Sequence, residues 1–147
     1  MTKRVVVWGT GFVGRMVIAE IARHPRFELV GVGVSNPDKV GRDVAELCGL
    51  PAPLGVAATD DVDALIALRP DALVHYGPTA AHADDNIELI SRFLRAGIDV
   101  CSTAMTPWVW PSMKLNPPNW IEPITQACEV GQSSCFTTGI DLSLIHI

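Results

Sequence analysis

What this chain lacks narrows its function before any motif is considered. Its four cysteines, Cys48, Cys101, Cys128 and Cys135, form no C-x-x-C pair. Cys101 and Cys135 fall in predicted strands, and buried, reduced thiols in a cytoplasmic protein are the expectation. Four histidines, His24, His75, His82 and His146, are scattered without metal-ligand spacing, so no metal site is expected. Basic residues are fewer than acidic ones, 11 against 16, giving a net charge of −5. That balance argues against nucleic acid or an anionic membrane as partner. No apolar run approaches the length of a membrane span. Met1-Thr2-Lys3-Arg4 enters a strand directly, without the apolar core of a signal peptide. No Ser-His-Asp, Cys-His or paired-carboxylate arrangement stands out, so no catalytic residue is assigned.

What is present is concentrated in one stretch. Val5 to Gly14 read V-V-V-W-G-T-G-F-V-G. Three valines and a Trp make a short apolar strand, and a helical pattern starts at Phe12. Between them Gly9, Gly11 and Gly14 form G-x-G-x-x-G. Each glycine has a physical task. Gly9 permits the tight turn out of the strand, Gly11 lets a pyrophosphate approach the backbone, and Gly14 lets the helix pack close. The helix start then aims unpaired N–H groups and the positive end of its dipole at the phosphates. The alternative, a structural glycine turn, lacks a reason for this placement between strand and helix.

The rest of the chain alternates strand and helix. Strands are expected at Arg4–Trp8, Phe27–Val34, Gly55–Ala58, Ala72–Tyr76, Ile98–Ser102 and Ser133–Thr137. Helices are expected at Phe12–His24, Val44–Cys48, from a cap at Thr59 or Asp60 to Leu68, at Ala81–Ala96 closed by Gly97, and at Asn119–Val130. Thr106–Pro118, rich in Pro and Trp, reads as a loop. With 48% hydrophobic and 18% charged residues, this pattern predicts a Rossmann-type α/β fold, a doubly wound six-stranded parallel sheet with helices on both faces.

In such a fold the ligand lies across the carboxyl ends of the strands. Gly9, Thr10, Gly11, Phe12, Val13 and Gly14 would hold the pyrophosphate. Ser35 and Asn36 end the second strand, where a carboxylate often holds the ribose hydroxyls of NAD. Ser35 carries no such charge, and Lys39 and Arg42 lie nearby. A 2′-phosphate is then not repelled, which favours NADP or dual use with NAD. Solvated loop cations remain the alternative reading of Lys39 and Arg42. Tyr76, Gly77 and Thr79, together with Ser102 and Thr103, would line the nicotinamide side. His75, at a strand end, reads as structural more readily than as a proton carrier.

Four segments together resemble a known family. They are W-G-T-G-F-V-G, Gly41-Arg42-Asp43-Val44-Ala45-Glu46-Leu47-Cys48-Gly49, R-P-D-A-L-V-H-Y and T-T-G-I-D. They look like the nucleotide-binding half of the dihydrodipicolinate reductase-like family, and within it like the amine dehydrogenases typified by 2,4-diaminopentanoate dehydrogenase. The resemblance implies an NAD(P)-dependent oxidoreductase as parent, moving hydride at a carbon–nitrogen centre. It also implies an amino-acid-like substrate bound by a further domain, and a homo-oligomer. A nucleotide-sensing regulatory domain and a sugar-type dehydrogenase domain are the rival readings. Residues 1–141 would be the binding domain, inactive by itself. Leu142-Ser143-Leu144-Ile145-His146-Ile147 breaks the pattern. Its codons can be written CTG-TCT-CTT-ATA-CAC-ATC, the end of a transposon used to fragment DNA, so a non-native tail is expected over residues 142–147.

Overall fold

The computed structural model describes residues 1–77 and 82–138. Six strands, β1 (Lys3–Trp8), β2 (Phe27–Gly33), β3 (Ala58–Thr59), β4 (Ala72–His75), β5 (Asp99–Ser102) and β6 (Cys135–Thr137), alternate with helices. The helices are α1 (Phe12–Arg23), α2 (Val44–Cys48), α3 (Val62–Ala67), α4 (Ala83–Arg95) and α5 (Pro118–Gly131). This is the doubly wound parallel α/β fold of Rossmann type. Two compact units divide the chain, one ending at Tyr76 and the other starting at Gly77.

In the first unit the strands run in the order β3-β2-β1-β4, all parallel. β1 is central, which is why Val5, Val6 and Val7 are all buried. Their side chains alternate between two layers. Val5 and Val7 pack with Ile18 and Ile21 of α1, with Val32 and Val34, and with Val44 of α2. Val6 faces the other way. A methyl group added at Gly31 would lie 2.7 Å from the Leu65 side chain, 3.0 Å from Leu68 and 3.5 Å from Val6. Helices therefore cover both faces, and each buried Val, Leu or Ile contributes about 1.5–3 kcal/mol. The direction of winding changes at β1, so the crevice for a ligand opens at the carboxyl ends of β1 and β4.

The third strand departs from expectation. It covers Ala58–Thr59, not Gly55–Ala58. The Asp43 carboxylate accepts the N–H groups of Ala45 at 2.8 Å, Leu54 at 3.2 Å and Gly55 at 2.9 Å. Asp43 also bridges Ala57 in antiparallel fashion. Residues 54–57 are thereby tied to the start of α2, and only Ala58 and Thr59 pair with β2. The cap of α3 shifts as well. Asp61, one residue beyond the expected pair, accepts the Ala64 N–H at 3.0 Å, while the Thr59 hydroxyl accepts that of Asp61.

In the second unit β5 and β6 pair in parallel. α4 buries Ile87, Ile90, Phe93 and Leu94, and Gly97 follows it with φ +80°, the expected helix stop. α5 closes on α4 so tightly that a methyl group at Gly131 would meet the Leu94 carbonyl oxygen at 1.7 Å. The Pro- and Trp-rich loop is more ordered than its composition suggests. It contains a 3-10 turn, Thr106–Val109. Trp108 is buried, and its indole N–H donates to the Trp120 carbonyl at 2.7 Å. The Asn116 amide holds the carbonyls of Pro107 and Trp110. Among the described residues no helix is long and apolar enough to cross a membrane.

Candidate functional site

The glycine turn leaves β1 at its carboxyl end, and its three glycines do three different things. Gly9 has φ +106°, and its N–H donates to the Gly33 carbonyl at 2.9 Å. A methyl group there would lie 2.8 Å from the Tyr76 carbonyl oxygen. Gly14, in the first turn of α1, faces inward, where a methyl group would meet the Gly9 carbonyl oxygen at 2.0 Å. Gly11 is the opposite case, with no atom of the chain within 4 Å of the place a methyl group would take. Two glycines are required by the protein's own packing. The third leaves open space.

That open space lies at the start of α1. Gly11 is the residue before the helix, and no side chain caps the first turn. The first turn also carries no acidic residue. The leading N–H groups of the helix have no partner within it, and its dipole favours an anion there. Phe12 is 74% exposed and Val13 half-buried beside it. An uncapped helix start behind a side-chain-free turn can bind a pyrophosphate.

The turn after β2 supplies the second part. Ser35 and Asn36 are both exposed. The Asn36 side chain accepts the Asp38 N–H at 2.9 Å and starts a 3-10 turn, Pro37–Lys39. The two cations that the sequence offers diverge. Arg42 is engaged by Glu46, Nη2 to Oε1 at 2.5 Å, and that contact raises its pKa. Lys39 instead turns toward the glycines, and its Nζ donates to Thr10 Oγ1 at 2.9 Å. Thr10 is only 7% exposed. Spacing alone cannot reveal this contact, which joins residues 29 positions apart. Nearby, burial pushes the Cys48 thiol up, while the positive charges of Arg15 and Lys39 pull it down.

The carboxyl end of β4 forms the third part. Tyr76 is half-buried, and its N–H donates to the Trp8 carbonyl at 2.9 Å. His75 is fully buried in register with Trp8, a placement that suits its structural reading. Trp8 lies across the end of β2, since a methyl group on Gly33 would sit 1.9 Å from its ring. Thr79 lies outside the described residues, as do Gly139, Ile140, Asp141 and the tail at 142–147. His82, just before α4, is exposed and lies 3.3 Å from Asp85.

In the second unit, Gly77 and Thr103 are half-buried and Ser102 is buried at the end of β5. The Ser102 hydroxyl accepts the Ala104 N–H at 3.0 Å, and Thr137 Oγ1 donates to the Ala104 carbonyl at 2.8 Å. Met105 follows, buried and left-handed at φ 60°. Left-handed backbone is costly for Met, and no residue type in the sequence signals it.

Known proteins with the same features are consistent in kind. The family described as dihydrodipicolinate reductase, N-terminus, matches residues 3–106. An amine dehydrogenase from Streptomyces virginiae is 41% identical over 136 residues, which is 92% of this chain and 37% of that protein. A 4-hydroxy-tetrahydrodipicolinate reductase from Trichormus variabilis is 36% identical over 62 residues, 42% of this chain and 22% of its own length. Among solved structures, an amine dehydrogenase from Mycobacterium smegmatis superposes with a TM-score of 0.81 at 23% identity, covering 95% of this chain and 40% of that one. The chain thus spans well under half the length of the curated relatives it matches.

Proposed function

The chain belongs to the dihydrodipicolinate reductase N-terminal family, and from that premise we infer that it is the nicotinamide-dinucleotide-binding domain of an oxidoreductase acting at a carbon–nitrogen bond. One observation carries the reading: Gly11 faces open space, while Gly9 and Gly14 are packed against backbone. A purely structural turn has no use for the first of these. Gly9, Thr10, Gly11, Phe12, Val13 and Gly14 would hold the pyrophosphate of NADP or NAD. Ser35 and Asn36 would face the adenosine ribose, and Tyr76 the far side of the crevice. When bound, the cofactor supplies the hydride acceptor or donor. The chain's own residues bind it, orient it and neutralise its phosphates through backbone N–H groups and the α1 dipole.

Oxidation of a small amine is favoured over reduction of a cyclic imine. The likeness to the Streptomyces amine dehydrogenase runs over 92% of this chain, against 42% for the Trichormus reductase. In this reading residues 1–141 are the binding domain and the tail is foreign. Substrate is held by a part of the parent protein beyond this chain, and the parent is an oligomer in the cytoplasm, in keeping with four unpaired cysteines.

The test is to express the longest natural reading frame that contains this sequence and follow NAD(P)+ reduction with short amines and amino-acid-like amines. Amine-dependent reduction by the long protein, with dinucleotide binding but no turnover by the 147-residue chain, is the expected result. A long protein inert toward amines and imines alike would overturn the oxidoreductase reading.

A further inference from the structure

The outer edge of β2 is open over its first half. β3 pairs only with Val32 and Gly33. On the inner side the Arg26 carbonyl accepts the Lys3 N–H at 2.8 Å, and Lys3 stands in register with Phe27. Main-chain groups alternate between the two sides of a strand, so Glu28 turns its own toward β1 while Phe27 and Leu29 turn theirs outward. The Phe27 N–H is taken by the His24 carbonyl at 3.1 Å. The carbonyls of Phe27 and Leu29 face no described strand. Residues 54–57 run past this edge without pairing to it, because they are committed to α2. Asp43 holds the Leu54 and Gly55 N–H groups, and the Val56 carbonyl accepts the Val44 N–H at 2.9 Å. A cavity of about 480 Å³ remains between them. Ala22, Phe27, Leu29, Leu54 and Val56 line it with apolar groups, and Thr2 and Glu28 with polar ones. It lies at the amino end of β2. The glycine turn meets β2 at the other end, where Gly9 donates to Gly33, about 20 Å along the strand.

The size suits a small molecule, and so does an apolar lining with a few polar groups. Those polar groups are mostly acceptors. They are the Glu28 carboxylate and the outward carbonyls of Phe27 and Leu29, beside one outward donor, the Leu29 N–H, and the Thr2 hydroxyl, which serves either way. Glu28 has its charge to offer. Its cationic neighbour Arg4 donates from Nη1 to the Leu68 carbonyl at 2.6 Å, which keeps Arg4 Nε 3.9 Å from the carboxylate, beyond hydrogen-bond reach. We propose that this cavity binds a small primary ammonium with an apolar tail. The ammonium sits on Glu28 and the outward carbonyls of β2, and the tail lies against Leu29, Leu54 and Val56. A carboxylate ligand would be repelled by Glu28, and a neutral one would leave that charge unused. The site is separate from the crevice at the carboxyl ends of the strands and does not rest on the dinucleotide reading.

The experiment is an amide-resolved NMR titration of the whole chain with propylammonium, hexylammonium, hexanol and hexanoate. Hexylammonium should saturate one site and shift the amides of Leu29, Gly55 and Val56. Each methylene added between propyl and hexyl should tighten binding about fourfold, as burial of the tail requires. Hexanol should bind about tenfold more weakly than hexylammonium, and Glu28→Gln should cost the ammonium a similar factor. Hexanoate should not bind. Ala22→Trp, made at an exposed position of α1 that lines the cavity, should abolish binding by filling the space. The same spectra check the fold, and Ala22→Leu replaces the Trp variant if that one misfolds. Added NADPH should leave the hexylammonium affinity unchanged. Absence of saturable hexylammonium binding would overturn the proposal. Equal binding of hexanol and hexylammonium would overturn the ammonium class. Binding that survives both Glu28→Gln and the filled cavity would overturn the location, as would competition by NADPH, which would move the amine into the crevice.

Discussion

Lys39 donates from Nζ to Oγ1 of Thr10 at 2.9 Å, joining the turn after β2 to the glycine turn after β1. Two segments that flank the crevice of a doubly wound sheet are held by one side-chain contact, at the place where the adenosine half of a dinucleotide would lie. The neighbouring glycines carry the rest of the account, and their differing surroundings make it testable.

Gly14→Ala should be severely destabilising. The new methyl group would sit 2.0 Å from the Gly9 carbonyl oxygen, and backbone cannot move aside as a flexible side chain can. Overpacking of this kind costs about 3 kcal/mol or more. Gly11→Ala meets no atom within 4 Å and should leave stability within about 0.5 kcal/mol. Denaturant unfolding of both variants checks the pair. Similar losses from the two would contradict the geometry.

Gly33 and Trp8 should be coupled. A methyl group at Gly33 would lie 1.9 Å from the Trp8 ring, so Gly33→Ala should be strongly destabilising in the wild-type background. In a Trp8→Ala background the same change should cost far less, giving an interaction energy of about 1–3 kcal/mol in a double-mutant cycle. Additive effects would mean that the ring does not cover Gly33.

Much of this was legible in the sequence because it is local. The glycine spacing, the apolar run at Val5–Val7 and the helix stop at Gly97 depend on near neighbours. Their elements fall within a residue or two of expectation. β3 starts later than the sequence pattern predicts because its limits are decided by the Asp43 carboxylate, more than ten residues upstream of Leu54 and Gly55. The Lys39–Thr10 contact, the Trp8–Gly33 stack and the left-handed Met105 were invisible for the same reason. Each is set by residues that meet only once the sheet and its turns have formed. The sequence also presented Lys39 and Arg42 as equals, and the structure separates them through Glu46.

Stability should fall in acid through Asp43. Its three backbone N–H partners hold the carboxyl below its ordinary value of 3.8. A depressed folded-state pKa contributes stability above the unfolded value, and that contribution is lost as pH falls through the folded one. The melting temperature of Asp43→Asn should therefore lie below wild type at neutral pH and converge with it in acid, as pH falls below the ordinary value of 3.8 and through the lowered folded-state pKa. A gap that stays constant from neutral to acid would show that the charge of Asp43 contributes nothing.

Ser35→Asp should weaken NADPH binding about tenfold by placing a carboxylate near the 2′-phosphate. NADH binding should hold or improve, because the same carboxylate can accept the ribose hydroxyls. Fluorescence titration with both cofactors measures this. A parallel loss of both would mean that Ser35 does not face the adenosine ribose.

The most direct measurement of the central claim is calorimetric titration of the whole chain with NADPH, for wild type and Gly11→Val. Dinucleotide binding requires that the space beside Gly11 be filled by pyrophosphate. The account predicts saturable one-to-one binding by the wild type. It predicts loss of most of that binding in Gly11→Val, with an unchanged circular dichroism spectrum. A Gly11→Val variant that binds NADPH as tightly as wild type would contradict the account, because the glycine turn would then not be where the cofactor sits.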